Sequence, residues 1–530
     1  MNVIGDLVTN AGEKWPNKIS AYCGDNTITY GEVLSQSRKL SSFFIESGLQ
    51  KGNRICFYLE KRFEKIISIF SIALSGGVFV PIRRQSHINQ VKYIINDCNA
   101  NILITTSQNM PSILKNIDSM QCLHTIIVIG KHNFANCPEG IKLISWDEIM
   151  DTESNLIKDT YVTANDLAAI IYTSGSTGRA KGVVLSHLNL IAGVEKVSSY
   201  LKITSDDCLL SILTFGFDYG LNQLLSVWYH GAQIVLLDYL FPNDIINIVN
   251  KFRITGLAAV SATWIQLLQK DWDGSAMNKL RYITNTGGSI PEHYVRELSK
   301  RLPDTDIFLM YGLTEAFRST YLEPKLVDRY PTSIGKAIPG EEIFVLDEND
   351  KPVKPGEIGQ LVHRGKLVSQ GYWNDKELTQ KRFRPNPFQP SEVIFKEMVV
   401  YSGDLVRIDK DGFLYFIGRN DEMIKSLGNR ISVTEVEEVI YQIKGIVDVV
   451  VFGIPHEING QSVYAVVSIE NDCDLTIQQI MRYCRENMPT YMAPIKIENW
   501  EALPRNSNGK LDRALVKQNV YQQLELHDTH

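Results

Sequence analysis

IIYTSGSTGRAKGVVLSH runs from Ile170 to His187. An apolar, β-branched run leads into hydroxyls and glycines, then one lysine, then a second apolar run. This order predicts a strand that empties into a turn of small residues and continues as another apolar segment. Glycine lets backbone approach a ligand closely, and successive N–H groups in such a turn form an anion-binding concavity. Lys181 adds a cation beside it, so a polyphosphate is the guest this turn suits. It is not a Walker A loop, which needs four residues between its glycines and a lysine–hydroxyl pair after the second. Here two residues separate Gly175 from Gly178, and Gly182 follows the lysine. A Gly/Ser cluster alone is equally compatible with a plain surface turn, so the rest of the chain has to decide.

Outward from this stretch, short β-branched runs recur: NRICFYL, NILITT, HTIIVIG, AAIIYT and AQIVLLD. Between them lie helix-period stretches such as YGEVLSQSRKLSSFFIESG, from Tyr30 to Gly48. The alternation predicts α/β architecture with parallel sheets. From Glu341 the texture changes to short strands joined by Asp, Asn, Pro and Gly turns (EEIFVLDENDKPVKPGEIGQLVHRG). A last unit follows GRNDEMIKSLGNRIS, with the helix VTEVEEVIYQI and the strands VDVVVFGI and SVYAVVSIE. The 530 residues are too many for one core. The division expected is a large domain over 1–418, a hinge at 419–420 and a small domain over 421–530.

Composition narrows the function classes. The chain is 44% hydrophobic and 22% charged, with a net charge of -6 and no basic block. That argues for a soluble globular protein and against a nucleic-acid face. The window from Ile66 to Ile82 is the most apolar, but its serines and Gly-Gly predict a buried helix followed by a strand, not a membrane span. No secretion signal is read at MNVIGDLVTNAGEKW, and the cytoplasm is the expected compartment. Cys23, Cys56, Cys98, Cys122, Cys137, Cys208, Cys473 and Cys484 are scattered. They read as buried small hydrophobes in a reducing compartment, without a disulfide frame or zinc site.

The opening stretch resembles the signature loop of the adenylate-forming superfamily: acyl-CoA synthetases, firefly luciferase and nonribosomal peptide synthetase adenylation domains. Eight further stretches follow the family's order: ITYGEV, SGGVFVPI, YGLTEA, GYWND, YSGDL, GRNDEMIKSLGNRIS, MPTYMAP and PRNSNGKLDR. The chain departs from the pattern at Arg83-Arg84-Gln85, where the family has a different short turn. The resemblance implies two α/β subdomains and a small β-barrel-like subdomain in the large domain, with a small mobile α+β domain after them. It also implies AMP-forming acid–thiol ligase chemistry, using ATP, Mg²⁺ and an acceptor carrying phosphopantetheine.

Site residues follow from the resemblance. Thr173, Ser174, Gly175, Ser176, Thr177, Gly178 and Lys181 would hold the β- and γ-phosphates, with Gly287 and Gly312 among the nucleotide contacts. Thr314 would bond the α-phosphate, and Glu315 would ligate Mg²⁺, which prefers oxygen donors and bridges phosphates. Tyr311 would pack near the adenine, and Asp404 and Arg419 would meet the ribose. Lys510 would be the mobile adenylation cation. Asp421 matches the hinge residue; it is equally readable as an ordinary loop aspartate. Lys425, with Gly428, resembles the loop lining the pantetheine tunnel.

Asp218 in FGFDYGLNQ stands where amino-acid-activating members keep the partner of the substrate α-ammonium. A buried ammonium needs such a counter-charge; the plainer alternative is a helix cap. The pocket would be completed by Tyr219, Asn222, Thr263, Thr284, Thr286, Met310, Arg318 and Ser319. Arg318 could bind an acidic side chain, or pair with a neighbouring carboxylate. The strings MYGLTEAFRSTYL and FDYGLNQ look like the stand-alone prolyl–carrier protein ligases of pyrrole- and anatoxin-type pathways, so proline leads among small amino acids. The acceptor would be a separate acyl or peptidyl carrier protein, with no membrane or nucleic-acid partner. The alternative is an acyl-CoA ligase acting on a small carboxylic acid. A luciferase-like oxygenase has no distinguishing residue here, and a non-catalytic binding module is opposed by the presence of Lys510, Glu315 and Asp404.

Overall fold

The computed structural model describes the chain apart from residues 132–137, 153–159, 175–179, 271, 273–278, 421, 427–428, 457–459, 471–472, 507–508 and 528–530. Two large sheets dominate. One has seven strands, in the order Lys142–Ser145, Thr125–Ile129, Ile102–Thr106, Arg54–Tyr58, Val78–Ile82, Leu167–Ser174 and Ala180–Ser186. Its pairings are parallel except the last, where Leu167–Ser174 and Ala180–Ser186 run antiparallel. The other has nine strands and includes Gln233–Leu236, Cys208–Ser211, Gly256–Val260, Tyr282–Thr286 and Asp306–Tyr311, all parallel to their neighbours in this run. Antiparallel strands close both of its ends, whereas the seven-stranded sheet is antiparallel at one edge alone.

One apolar core joins the two sheets, with Ile55 and Phe57 from the first, Ile234 and Ala258 from the second, and the helices between them. The apolar window around Ile66 resolves as expected, into the helix Phe63–Leu74 and the strand Val78–Ile82, each residue of that strand being buried. Among the described residues no helix is long and apolar enough to cross a membrane. The ITYGEV motif acts locally, as a helix start. Thr29 Oγ1 accepts from Glu32 N at 3.2 Å and Glu32 Oε2 accepts from Thr29 N at 2.7 Å. This reciprocal pair begins the helix Tyr30–Glu46. Tyr30 carries its hydroxyl across the core to the carbonyl oxygen of Ala232 at 2.5 Å.

The turn-rich stretch after Glu341 forms a five-stranded antiparallel sheet of Glu342–Leu346, Ile358–Arg364, Phe383–Pro385, Met398–Ile408 and Leu414–Arg419. The next strand, Ile424–Ser426, belongs to a different sheet with Asn429–Ile431, Ile446–His456, Gly460–Ile469 and Lys496–Asn499. Helices Val433–Tyr441 and Ile477–Asn487 cover one face of that last sheet and Arg513–His527 covers the other. The cysteines are free where described. Cys56, Cys98, Cys208 and Cys484 are buried, whereas Cys23, Cys122 and Cys473 are half-buried, a correction to uniform burial; Cys137 lies outside the described residues.

Candidate active site

The nucleotide side is built at strand ends. Thr173 and Ser174 end one strand and pair with Lys181 and Ala180 on its antiparallel neighbour. Gly175, Ser176, Thr177 and Gly178 lie outside the described residues. Asp404 is buried on the strand Met398–Ile408, where its Oδ2 accepts from the Tyr311 hydroxyl at 2.5 Å and its Oδ1 is 3.3 Å from Arg419 Nε. Burial pushes the Asp404 carboxyl up, while Arg419 and the Tyr311 hydroxyl pull it down. Tyr311 therefore fixes the carboxylate as well as packing beside it. Oδ1 has no hydrogen-bond partner, which leaves one acceptor for a hydroxyl guest.

Thr314 and Glu315 open a short 3-10 turn, Thr314–Ala316. Phe317 follows with a positive φ of 52°, a conformation that side chains adopt only when held there. Gly193 supplies the hold: a Cβ there would lie 2.3 Å from the Phe317 ring. The chain then turns so that Arg318 points inward. Glu315 Oε1 accepts from the Tyr372 hydroxyl at 2.6 Å. No described residue hydrogen-bonds Oε2, and among the described residues no cluster of three metal-ligating side chains exists. One carboxylate oxygen left without a described partner fits Mg²⁺, which takes few protein ligands and completes its shell with water and phosphate oxygens.

The residues expected on the acyl side centre on Asp218, the first residue of the helix Asp218–His230, whose N-cap Phe217 makes no side-chain cap. Asp218 Oδ2 is 3.2 Å from Arg318 Nη2, with the side chains 2% and 1% exposed. Arg318 Nη1 donates to Thr286 Oγ1 at 3.2 Å, and the guanidinium lies 4.1 Å over the Tyr219 ring. Arg318 is thus paired with a neighbouring carboxylate, while its Nε and Nη2 have no hydrogen-bond partner. Gly312 borders it: a Cβ there would sit 3.1 Å from Arg318 Nη1. Burial pushes the Asp218 carboxyl up, against the pull of Arg318 and Lys510. Its Oδ1 is buried without a hydrogen-bond partner, as are both amide atoms of Asn222. Thr284 is buried on the same strand as Thr286. Other hydroxyls are engaged elsewhere, Thr263 with Tyr239 at 3.0 Å and Ser319 with His363 Nδ1 at 3.0 Å. Met310 Sδ sits 3.9 Å from the Tyr200 hydroxyl.

Lys510 arrives from the C-terminal unit. Its Nζ lies 5.5 Å over the Phe217 ring, and its stem passes Gly287, where a Cβ would meet Lys510 Cε at 2.7 Å. Gly287 has φ +77°, so glycine serves twice there, by conformation and by clearance. Burial pulls the Lys510 ammonium down to about 8; Asp218 opposes this, and Arg419, Arg83 and Arg318 add to it. Lys425 lies on the strand Ile424–Ser426, while Asp421 and Gly428 lie outside the described residues.

Two residues escaped the reading of site residues. Arg83, from the departing RRQ turn, places Nε 3.4 Å from Gly216 O and Nη2 3.3 Å from Tyr172 O. Gly216, Phe217 and Asp218 thus meet Arg83, Lys510 and Arg318, three cations on three consecutive residues. Tyr372 is the other; GYWND was its only signal.

The chain matches the family model described as "AMP-binding enzyme" over residues 8–373 and that described as "AMP-binding enzyme C-terminal domain" over 435–510. It is 27% identical over 514 residues to bacitracin synthase 1 of Bacillus licheniformis, covering 96% of this chain and 9% of that protein. Gramicidin S synthase 1 of Brevibacillus brevis is 26% identical over 96% of this chain and 44% of its own length. The chain therefore spans less than half the length of each of these two relatives. Among solved structures, an ATP-bound RpMatB-BxBclM chimera superposes with a TM-score of 0.86 at 25% identity, covering 98% of this chain and 99% of that one. The anthranilate CoA ligase AuaEII in complex with anthranoyl-AMP gives 0.87 at 22% identity over 99% and 98%, a likeness of fold. With the AMP-binding model alone covering more than half of its length, the chain belongs to the AMP-binding enzyme family of adenylate-forming ligases.

Proposed function

We propose that the protein activates a small amino acid, with L-proline leading, as its aminoacyl adenylate, and passes the aminoacyl group to the phosphopantetheine thiol of a separate acyl or peptidyl carrier protein. The observation that carries the amino-acid reading is Asp218 Oδ1, a buried carboxylate oxygen with no hydrogen-bond partner while Oδ2 is held by Arg318. An α-ammonium fits that vacant acceptor and supplies the second positive charge the carboxylate can use. The Arg318 guanidinium packs with Tyr219 and Thr286 beside that carboxylate, a compact set suited to a small side chain.

The substrate carboxylate oxygen attacks the α-phosphorus of ATP, the bond to the β-phosphate breaks, and pyrophosphate leaves. Lys510 neutralises charge on the carboxylate and the α-phosphate; Thr314 bonds the α-phosphate; Asp404 Oδ1, with Arg419, receives the ribose hydroxyls. Thr173 to Gly178 and Lys181 cradle the outer phosphates. Glu315 would hold Mg²⁺, which when bound would supply Lewis-acid neutralisation of charge on the phosphates. Rotation of 421–530 about a hinge at 419–420, next to Asp421, then withdraws Lys510 and brings Lys425 and Gly428 to the pantetheine arm.

ATP–pyrophosphate exchange over a panel of acids tests this reading. Exchange with proline or another small amino acid, and not with benzoate or octanoate, supports it; exchange confined to acids without an amino group overturns it. A second reading, an acyl-CoA ligase for a small carboxylic acid, is favoured by the Arg318–Asp218 pair itself, because the carboxylate is already neutralised. Thioester formation on free CoA from a non-amino acid would select it.

A further inference from the structure

We propose that Tyr372 is the positioning residue for the divalent-cation ligand Glu315, and that it locks this carboxylate to the stem of the phosphate loop. The proposal rests on the reading of Glu315 as that ligand. The Tyr372 hydroxyl donates to Glu315 Oε1 at 2.6 Å, which turns Oε2 away from it as the oxygen left for a cation.

The placement of that hydroxyl is over-determined. Tyr372 N donates to Thr379 Oγ1 at 3.0 Å, and Thr379 Oγ1 donates on to Asp375 O at 2.6 Å. Gly371 has φ +105° with Thr379 against it, so this backbone turn admits no side chain. The Tyr372 ring stands edge-on to Phe383, 5.7 Å between centroids. The same segment is stitched to the strand that carries Lys181. Val184 N donates to Gly371 O at 3.0 Å, Gln370 N to Val184 O at 2.9 Å, and Trp373 N to Gly182 O at 2.7 Å. It is tied to Glu315 a second time, by Ser369 N to Glu315 O at 2.8 Å. Residues 369–373 therefore set the separation between the metal-side carboxylate and the phosphate-side strand. A cation that bridges both needs that separation fixed, and outer-shell partners of metal ligands govern affinity for this reason.

The test uses Tyr372→Phe, which keeps the ring and its packing and removes only the hydroxyl. Mn²⁺ affinity is measured by electron paramagnetic resonance on the full chain with a non-hydrolysable ATP analogue, alongside analogue affinity in the absence of metal. The expected result is metal binding weakened by about 10- to 100-fold, with metal-free analogue binding and thermal unfolding unchanged. Glu315→Gln is the companion variant. If Glu315→Gln weakens Mn²⁺ and Tyr372→Phe does not, the positioning role is overturned while the ligand reading stands. If Glu315→Gln leaves Mn²⁺ affinity unchanged, the ligand reading falls and the proposal with it.

Discussion

Asp218 and Arg318 sit a hundred residues apart in the chain and 3.2 Å apart in the fold. Each alone would be a buried charge of high cost; together they make a polar floor with one oxygen unspent. Asp218→Asn is expected to abolish amino-acid-dependent exchange and, by leaving the arginine uncompensated, to cost about 3–5 kcal/mol in urea unfolding. Unchanged exchange in that variant would remove the ammonium assignment. Lys510 gives a second test at this scale. Its ammonium is pulled down to about 8, so its charged fraction falls as pH rises past that value. The free-enzyme parameter kcat/KM for adenylation should therefore decline on the alkaline side. Arg83 is one of the cations lowering Lys510, so Arg83→Gln should move that alkaline limb to higher pH. A limb that stays in place, or moves down, contradicts this coupling.

Helices and turns carry the next set of consequences. The Thr29–Glu32 pair starts the helix Tyr30–Glu46, which packs at the centre of the joint core. Thr29→Ala is expected to lower stability by about 1 kcal/mol, read as a lower Tm, with exchange activity intact. The turn from Thr314 to Ser319 depends on a different element. Gly193, within the helix His187–Leu201, gives Phe317 its space. Gly193→Ala should displace Phe317, lift Arg318 from Asp218, and cost about 1–3 kcal/mol, with amino-acid exchange reduced more than stability alone accounts for. Periodicity and capping residues made the Tyr30 helix legible. The room beside Gly193 was not, because it is set by a partner 124 residues downstream.

Across the whole molecule, the proposed reacting centre is assembled from residues of different sheets. Asp404 and Arg419 come from the five-stranded sheet, Asp218 and Arg318 from the nine-stranded one and its helices, and Lys510 from beyond the C-terminal sheet. Lys510→Ala is expected to slow adenylation by about 10²–10³-fold while thioester formation from a supplied adenylate continues, measured by separate half-reaction assays. Equal loss in both halves would deny the lysine its departure between steps. The sequence determined the alternation of strands and helices, the phosphate-loop signature and the identity of most charged groups. Those follow from period, turn chemistry and residue type, which are local. It did not pair Arg318 with Asp218 in particular, assigned no role to Arg83, and did not tie Tyr372 to Glu315. Only the tertiary structure decided these, because the partner of a buried charge or hydroxyl is chosen by which distant segments pack against it.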